Sequence, residues 1–198
     1  RFRVSADTAF AEIIAVCAEQ AGDRRETWIN AEIEEAFNQL HALGHAHSID
    51  CWLPDEESGE EKLVGCLYGL AIGGAFCGES MFSRSRDASK VALAWLVARL
   101  KVGGFPLLDC QFMTDHLASL GAIEVSQEAY LDALKRVRGY VPSSVLAIRS
   151  PIRSSGASAG ADLGFAAGAG VVAGAEAGAA SGTVSFGALD VLLARLDE

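Results

Sequence analysis

The run from Phe76 to Gln111 sets the tightest limit on the fold of this chain. It opens with Phe76-Cys77-Gly78-Glu79-Ser80-Met81-Phe82-Ser83-Arg84 and closes with Leu107-Leu108-Asp109-Cys110-Gln111. Between them Val91, Leu93, Ala94, Val97, Ala98 and Leu100 recur at helical spacing, with Asp87 available as the cap. The pattern is strand, helix, strand. A crossover helix makes its two flanking strands parallel and right-handed within one sheet. Glu79 and the Asp109/Gln111 pair then converge at one end of that sheet. On an ideal strand Asp109 and Gln111, two apart, share a face. Two carboxylates and an amide beside apolar strands are unfavourable to bury without partners. The cluster is therefore either a site or a buried polar network that pins the sheet.

The segments around this unit complete an α/β pattern. Arg1 to Val4 reads as a short strand, and Ser5-Ala6-Asp7-Thr8 supplies caps for a helix that carries Phe10, Ile13, Ile14 and Cys17 and ends near Gly22. Asn30 caps a second helix, with Ile33, Phe37, Leu40 and Leu43 on one face and Gly44 as its stop. Strands at Ser48 to Leu53, Lys62 to Ile72 and Ala75 to Phe82 follow as an antiparallel meander. The acidic segment from Asp55 to Glu61 and the Gly73-Gly74 pair make its turns. After Gln111 come a short helix from Asp115 to Leu120, a strand at Ile123 to Val125 and a helix from Gln127 to Val137. The expected fold is α/β with a mixed sheet and helices on both faces, over residues 1–141.

Beyond Val141 the composition shifts to Ala, Gly and Ser. Gly160, Gly164 and Gly168, then Gly170, Gly174, Gly178 and Gly182, recur at four-residue intervals. Such spacing can pack membrane helices, but Ala and Gly are weakly apolar and Glu176 interrupts the run. Residues 142–187 read as a flexible low-complexity tail. Leu189, Leu192, Leu193 and Leu196 then predict a short amphipathic helix over 188–198.

Charge narrows the function classes. The 198-residue chain has a formal net charge of -10, which argues against coating nucleic acid by bulk charge. The sign is uneven, however. Residues 1–65 hold fourteen acidic side chains against five basic ones, whereas Arg84, Arg86, Lys90, Arg99 and Lys101 face Asp87 alone between positions 84 and 101. That basic strip adjoins the polar cluster. Five cysteines with no CxxC pair disfavour a zinc site or a disulfide framework. The chain opens on Arg1 rather than Met, so it reads as a fragment, a processed product or a trimmed piece of a longer protein; with no signal peptide it is expected to be soluble and cytoplasmic, and it is expected to be a monomer.

The runs FCGESMFSR, DASK and LLDCQFMTDHLASLGA, with TWIN and LHALGHAHSI before them, resemble the leucyl/phenylalanyl-tRNA–protein transferases. The resemblance covers Arg1 to about Tyr140 and implies a GNAT-like acyltransferase fold, in relatives that carry a further small domain upstream. It implies transfer of Leu or Phe, and less readily Met, from charged tRNA to the α-amino group of proteins beginning with Arg or Lys, marking them for degradation. No cofactor or metal is implied, because an aminoacyl ester is already activated. The family assigns catalysis to Asp109 and Gln111, with Glu79 holding a cationic group. The substrate pocket corresponds to Leu67, Phe76, Leu93, Leu96 and Leu108, with Ser80 beside it. Trp28 is a candidate for stacking on the terminal adenine. Arg84, Arg86 and Lys90 are candidates for phosphate contacts at the acceptor end of the tRNA.

Three rival readings remain open on the sequence. A fold of this type also serves acyl-CoA N-acyltransferases, but their pyrophosphate loop needs glycine, and Met81 to Ala88 has none. A cysteine hydrolase would pair Cys77 or Cys110 with His116, although Cys110 falls between Asp109 and Gln111 and should face away from them. The third is a non-enzymatic binder of basic N-termini. His41, His45 and His47 suggest structural hydrogen bonds rather than a metal site.

Overall fold

A computed structural model describes residues 1–19, 27–139 and the backbone of 191–195. The expected end of the first helix near Gly22 and the Ala/Gly/Ser-rich tail of 142–187 lie outside the described residues. Seven strands form one mixed sheet in the order β1-β2-β3-β4-β5-β7-β6: β1 (Arg3–Ala6), β2 (Ala46–Pro54), β3 (Glu61–Ile72), β4 (Ala75–Ser83), β5 (Leu107–Asp109), β6 (Ile123–Val125) and β7 (Val191–Arg195). The helices are α1 (Phe10–Ala18), α2 (Ala31–Ala42), α3 (Ala88–Gly103), α4 (Asp115–Ser119) and α5 (Gln127–Val137). The expected α/β class, the antiparallel meander β2-β3-β4 and the parallel crossover β4-α3-β5 are all present.

The alternation of β3 distributes the helices. Leu63, Cys66 and Tyr68 pack with Phe10, Ile13 and Ile14 of α1 and Phe37 of α2, while Leu67 packs with Ala92, Leu93, Leu96 and Leu100 of α3 on the other face. The buried stripe of α3 runs through Ala92/Leu93, Leu96/Val97 and Leu100, and Ala98 is exposed. α5 lies on the α1/α2 side, where Val137, with Tyr130, Ala133 and Leu134, covers Ala75 of β4 and Leu107 of β5.

Several local expectations are corrected. Ser5, Asp7 and Thr8 do not cap α1, whose N-cap is Ala9 without a side-chain bond. They satisfy the sheet instead: Ser5 and Thr8 donate to the buried Asp50, and Asp7 accepts from the backbone of Ser48 at 2.9 Å and pairs with His47 at 2.9 Å. The competing acceptor of β2 outweighs the local cap. His47 also meets the Gly44 carbonyl at 3.1 Å and His41 that of Ala46 at 2.9 Å, so these two histidines are tied into the β2 hairpin region. Asp87 sits at the N-cap of α3 with φ 67° and no capping bond, because its carboxylate is taken by Lys90 at 3.0 Å and Arg86 at 3.5 Å. Residues 191–195 form a strand where a short amphipathic helix over 188–198 was expected. The open edges of β5 and β6 leave a gap that an antiparallel segment fills on both sides, and the apolar run Val191-Leu192-Leu193 suits a strand.

A bulge in β4 shapes the site. Tyr68 faces Ser80 and Gly69 faces Gly78, so Glu79 is the extra residue with no partner on β3. At Gly69 the backbones approach so closely that a Cβ would sit 2.1 Å from the Cys77 carbonyl oxygen and 2.6 Å from Phe76 Cε1. Gly69→Ala must therefore spread the bulge and is expected to destabilise the domain by about 1–3 kcal/mol or more in urea denaturation, whereas Gly139→Ala, which meets nothing within 4 Å, should stay within about 0.5 kcal/mol.

Candidate active site

Parallel pairing between β4 and β5 spans only Ala75–Leu107, Phe76–Leu108 and Cys77–Asp109. β5 stops there while β4 continues to Ser83, so the strands part immediately beyond Asp109. The parting leaves the main chain of Gly78 and the bulged Glu79 without a strand neighbour on that side. Gln111 fills the place. Its Nε2 donates to the Gly78 carbonyl at 3.0 Å and to Glu79 Oε2 at 3.1 Å, substituting a side-chain amide for the missing ladder.

Strand alternation does not bring Gln111 there, contrary to expectation. The residue lies beyond β5 with φ 66°, in the left-handed region rarely used by non-glycine residues. The Phe112 N–H bonds the Cys110 carbonyl at 2.8 Å across it, which closes a γ-turn of the strained, positive-φ kind. The carboxylate of Asp109 holds this turn from the inside: Oδ1 accepts the Gln111 backbone N–H at 2.8 Å, and Oδ2 accepts the hydroxyl of Tyr130 from the first turn of α5 at 2.7 Å. Strain of this sort costs about 1–3 kcal/mol and persists where surrounding bonds over-determine it.

Both hydrogens of the Gln111 amide are thereby committed, which fixes the amide's orientation from its bonding network and leaves Oε1 as a free acceptor among the described residues. Glu79 is only partly exposed. Burial, chiefly, and the charge of Asp109 raise its carboxyl above the ordinary value, against the opposing pull of the Gln111 bond. Burial, helped by Asp109 and Glu79, pushes the Cys77 thiol up to about 12, and the Tyr130 phenol is likewise held up by burial and by its bond to Asp109. A thiol so placed stays protonated at neutral pH, and Cys110 is fully buried in the α3 core.

The structure brings Glu79, Asp109 and Gln111 together. It also gathers Leu67, Phe76, Leu93, Leu96 and Leu108 into one buried layer between the sheet and α3, beside the point where β4 and β5 separate. Ser80 is buried opposite Tyr68. Trp28 is partly exposed and meets Phe37 edge-on at 6.4 Å, and Phe37 in turn meets Tyr68 at 5.3 Å. Arg84, Arg86 and Lys90 are engaged with surface acids, Arg84 with Glu19 at 2.9 Å and the other two with Asp87.

Sequence reasoning missed Tyr130, Tyr68 and Phe112. Tyr130 carried a signal, since it shares the apolar face of α5 with Ala133, Leu134 and Val137, where a hydroxyl needs a partner. Tyr68 has a fully buried hydroxyl with no partner among the described residues, on the Glu79 side of the sheet. Phe112, next to Gln111, is half exposed.

A mixed sheet whose parallel strands part around an acid–amide–acid cluster defines an α/β domain with a candidate proton-transfer centre. Residues 1–135 match the family described as leucyl/phenylalanyl-tRNA protein transferase. Proteins of that name from Rhizorhabdus wittichii and Zymomonas mobilis are 60% and 62% identical to this chain. The aligned regions cover 71% and 68% of this chain and 54% and 48% of those proteins. The chain thus belongs to the leucyl/phenylalanyl-tRNA–protein transferase family, and it spans about half the length of the curated relatives it matches. A GNAT-family acetyltransferase of solved structure from Staphylococcus aureus is similar at a TM-score of 0.48 and 9% identity, over 64% of this chain and 88% of that one.

The raised carboxyl of Glu79 predicts a pH-dependent stability. A carboxyl whose folded-state value exceeds its unfolded one is harmless to the fold while protonated in both states, and destabilises it progressively as pH rises from the unfolded value through the folded one. Glu79→Gln should therefore raise Tm near about pH 7.5 and give no gain near about pH 3.5, below the usual value of 4.5. Thermal melts at the two pH values check this, and a gain confined to acid would contradict it.

Proposed function

We propose that this chain is the catalytic part of an aminoacyltransferase that moves Leu or Phe, and less readily Met, from charged tRNA to the α-amino group of proteins beginning with Arg or Lys. The tagged protein is then a substrate for degradation by the N-degron pathway, in the cytoplasm, and the enzyme acts as a monomer. The single observation that carries this reading is the free Oε1 of Gln111 held beside Glu79 at the opening between β4 and β5.

The reaction joins the amine nitrogen to the ester carbonyl carbon, forms a tetrahedral oxyanion, and breaks the bond to the ribose oxygen, which leaves with a proton. Gln111 Oε1 accepts a hydrogen bond from the attacking amine and aims its lone pair at the carbonyl. Glu79, a stronger base than an ordinary carboxylate because of its setting, attracts the cationic amine and takes up its proton. Asp109 acts one step back, through the Gln111 turn. The leucyl or phenylalanyl side chain is taken into the apolar layer of Leu67, Phe76, Leu93, Leu96 and Leu108 on the α3 face, which is closed by its own side chains here and must open to admit it. Such an apolar wall rejects polar side chains. Trp28 and Ser80 border the same substrate, and Arg84, Arg86 and Lys90 receive tRNA phosphates by exchanging their partners Glu19 and Asp87 for them.

The rival readings meet specific obstacles. Asp87 places a carboxylate at the N-terminus of α3, where an acyl-CoA transferase would seat a pyrophosphate. The protonated Cys77 and the buried Cys110 do not suit a thiolate hydrolase. A binder of basic N-termini has no use for a strained turn that leaves one amide oxygen free.

A transfer assay with Leu- or Phe-charged tRNA and an Arg-initiated peptide tests the proposal. Wild type should label the peptide and Gln111→Ala should lower kcat by about 100- to 1000-fold, the scale of losing one positioned polar group in acyl transfer. Labelling from acyl-CoA alone, or equal product from both proteins, would contradict it. Replacing Arg84, Arg86 and Lys90 together should weaken tRNA binding and flatten its salt dependence by a slope of up to about three, read from Kd against salt concentration; an unchanged slope excludes the patch.

A further inference from the structure

We propose that Tyr130 is a positioning residue for the reaction: its hydroxyl locks the Asp109 carboxylate, and through it the Gln111 turn, to helix α5. The inference rests on the transferase reading of the same site but reaches a residue and an element that the reading does not use.

Asp109 has two tasks that compete. One oxygen must accept the Gln111 backbone N–H at 2.8 Å to hold a turn that glutamine does not favour, and the carboxylate plane must stay fixed while it does so. The terminal torsion of an aspartate is broad, so one hydrogen bond alone leaves the group free to swing. Tyr130 supplies the second point, 2.7 Å from Oδ2. The two bonds reach different oxygens of the carboxylate, one from the chain just after β5 and one from α5. Burial, and then the carboxylate partner, hold the phenol up, which favours its protonated, donating form.

The anchor for the phenol is independent of the site. Tyr130 lies in the first turn of α5, its own N–H bonding Ser126 at 3.0 Å, and Ser126 caps that helix through Ala129 at 3.3 Å. Its ring packs in the cluster of Ala75, Leu107 and Val137. α5 thus sets the distance between a rigid helix and the aspartate at the tip of β5. The ring contacts survive in Tyr130→Phe, which removes the hydroxyl alone.

Kinetics on the whole chain separate positioning from packing. Tyr130→Phe should lower kcat by about 10- to 100-fold, the range of a hydrogen bond to a charged group, with KM for charged tRNA and for peptide changed less than about twofold. In an Asp109→Asn background the same substitution should change kcat less than about twofold, since the group it acts through is gone. Undiminished kcat in Tyr130→Phe, or the full loss in both backgrounds, overturns the proposal. A readout without catalysis accompanies them: amide exchange at Gln111 should quicken by about tenfold or more in Tyr130→Phe, and unchanged exchange overturns the brace. Should wild type transfer nothing while Gln111 exchange responds as stated, the brace stands and the transferase reading falls.

Discussion

A side-chain amide stands in for a missing strand at the centre of this molecule. Where β5 ends, the carbonyl of Gly78 and the bulged Glu79 would face an empty edge, and Gln111 Nε2 satisfies both at about 3 Å. That substitution requires the chain to leave β5 through a γ-turn at φ 66°, and the turn requires Asp109 beneath it. Each feature makes the next necessary. Removing Asp109 releases the turn; releasing the turn exposes Gly78 and frees the amide; freeing the amide loses the orientation that its two bonds hold.

The rest of the sheet serves this arrangement by keeping its two faces distinct. On the α3 face, apolar side chains from β3, β4 and β5 close into a layer with Leu93 and Leu96. On the other, α1 and α2 cover the meander and α5 covers Ala75 and Leu107, leaving Cys77, Glu79 and Asp109 between them. The bulge at Glu79 and the tight approach at Gly69 shift β4 by one residue, so that an acid is turned toward the parting without breaking the pairing on either side. Packing thus explains how a carboxyl is left half desolvated and raised, the state most useful for taking a proton from an amine.

Much of this was legible in the sequence, for identifiable reasons. Helical spacing between two apolar runs gives the β4-α3-β5 crossover, and the handedness rule makes it parallel, so the meeting of Glu79 with Asp109 and Gln111 follows. The manner of their meeting does not. Alternation along a strand is a local rule, and β5 ends before Gln111 because a tertiary demand, the open edge of β4, captures the amide. The same conflict misassigned Ser5, Asp7 and Thr8, whose side chains prefer the buried Asp50 and the Ser48 backbone to a helix end. Likewise Val191-Leu192-Leu193 becomes β7 because its neighbours β5 and β6 lack partners, which no window of sequence reveals. Tyr130 escaped notice because an aromatic residue on an apolar helix face looks like core until the aspartate is set against it.

The central claim is that Gln111, braced by Asp109, presents its free oxygen to the reacting centre where β4 and β5 part. A crystal structure with a non-hydrolysable amide analogue of phenylalanyl-adenosine addresses it most directly. The account predicts the analogue's carbonyl carbon within about 4 Å of Gln111 Oε1, its phenyl ring against Phe76 and Leu108, and the γ-turn unchanged. An analogue seated away from the parting, or a Gln111 that has left the Gly78 carbonyl to make room for it, would contradict the account.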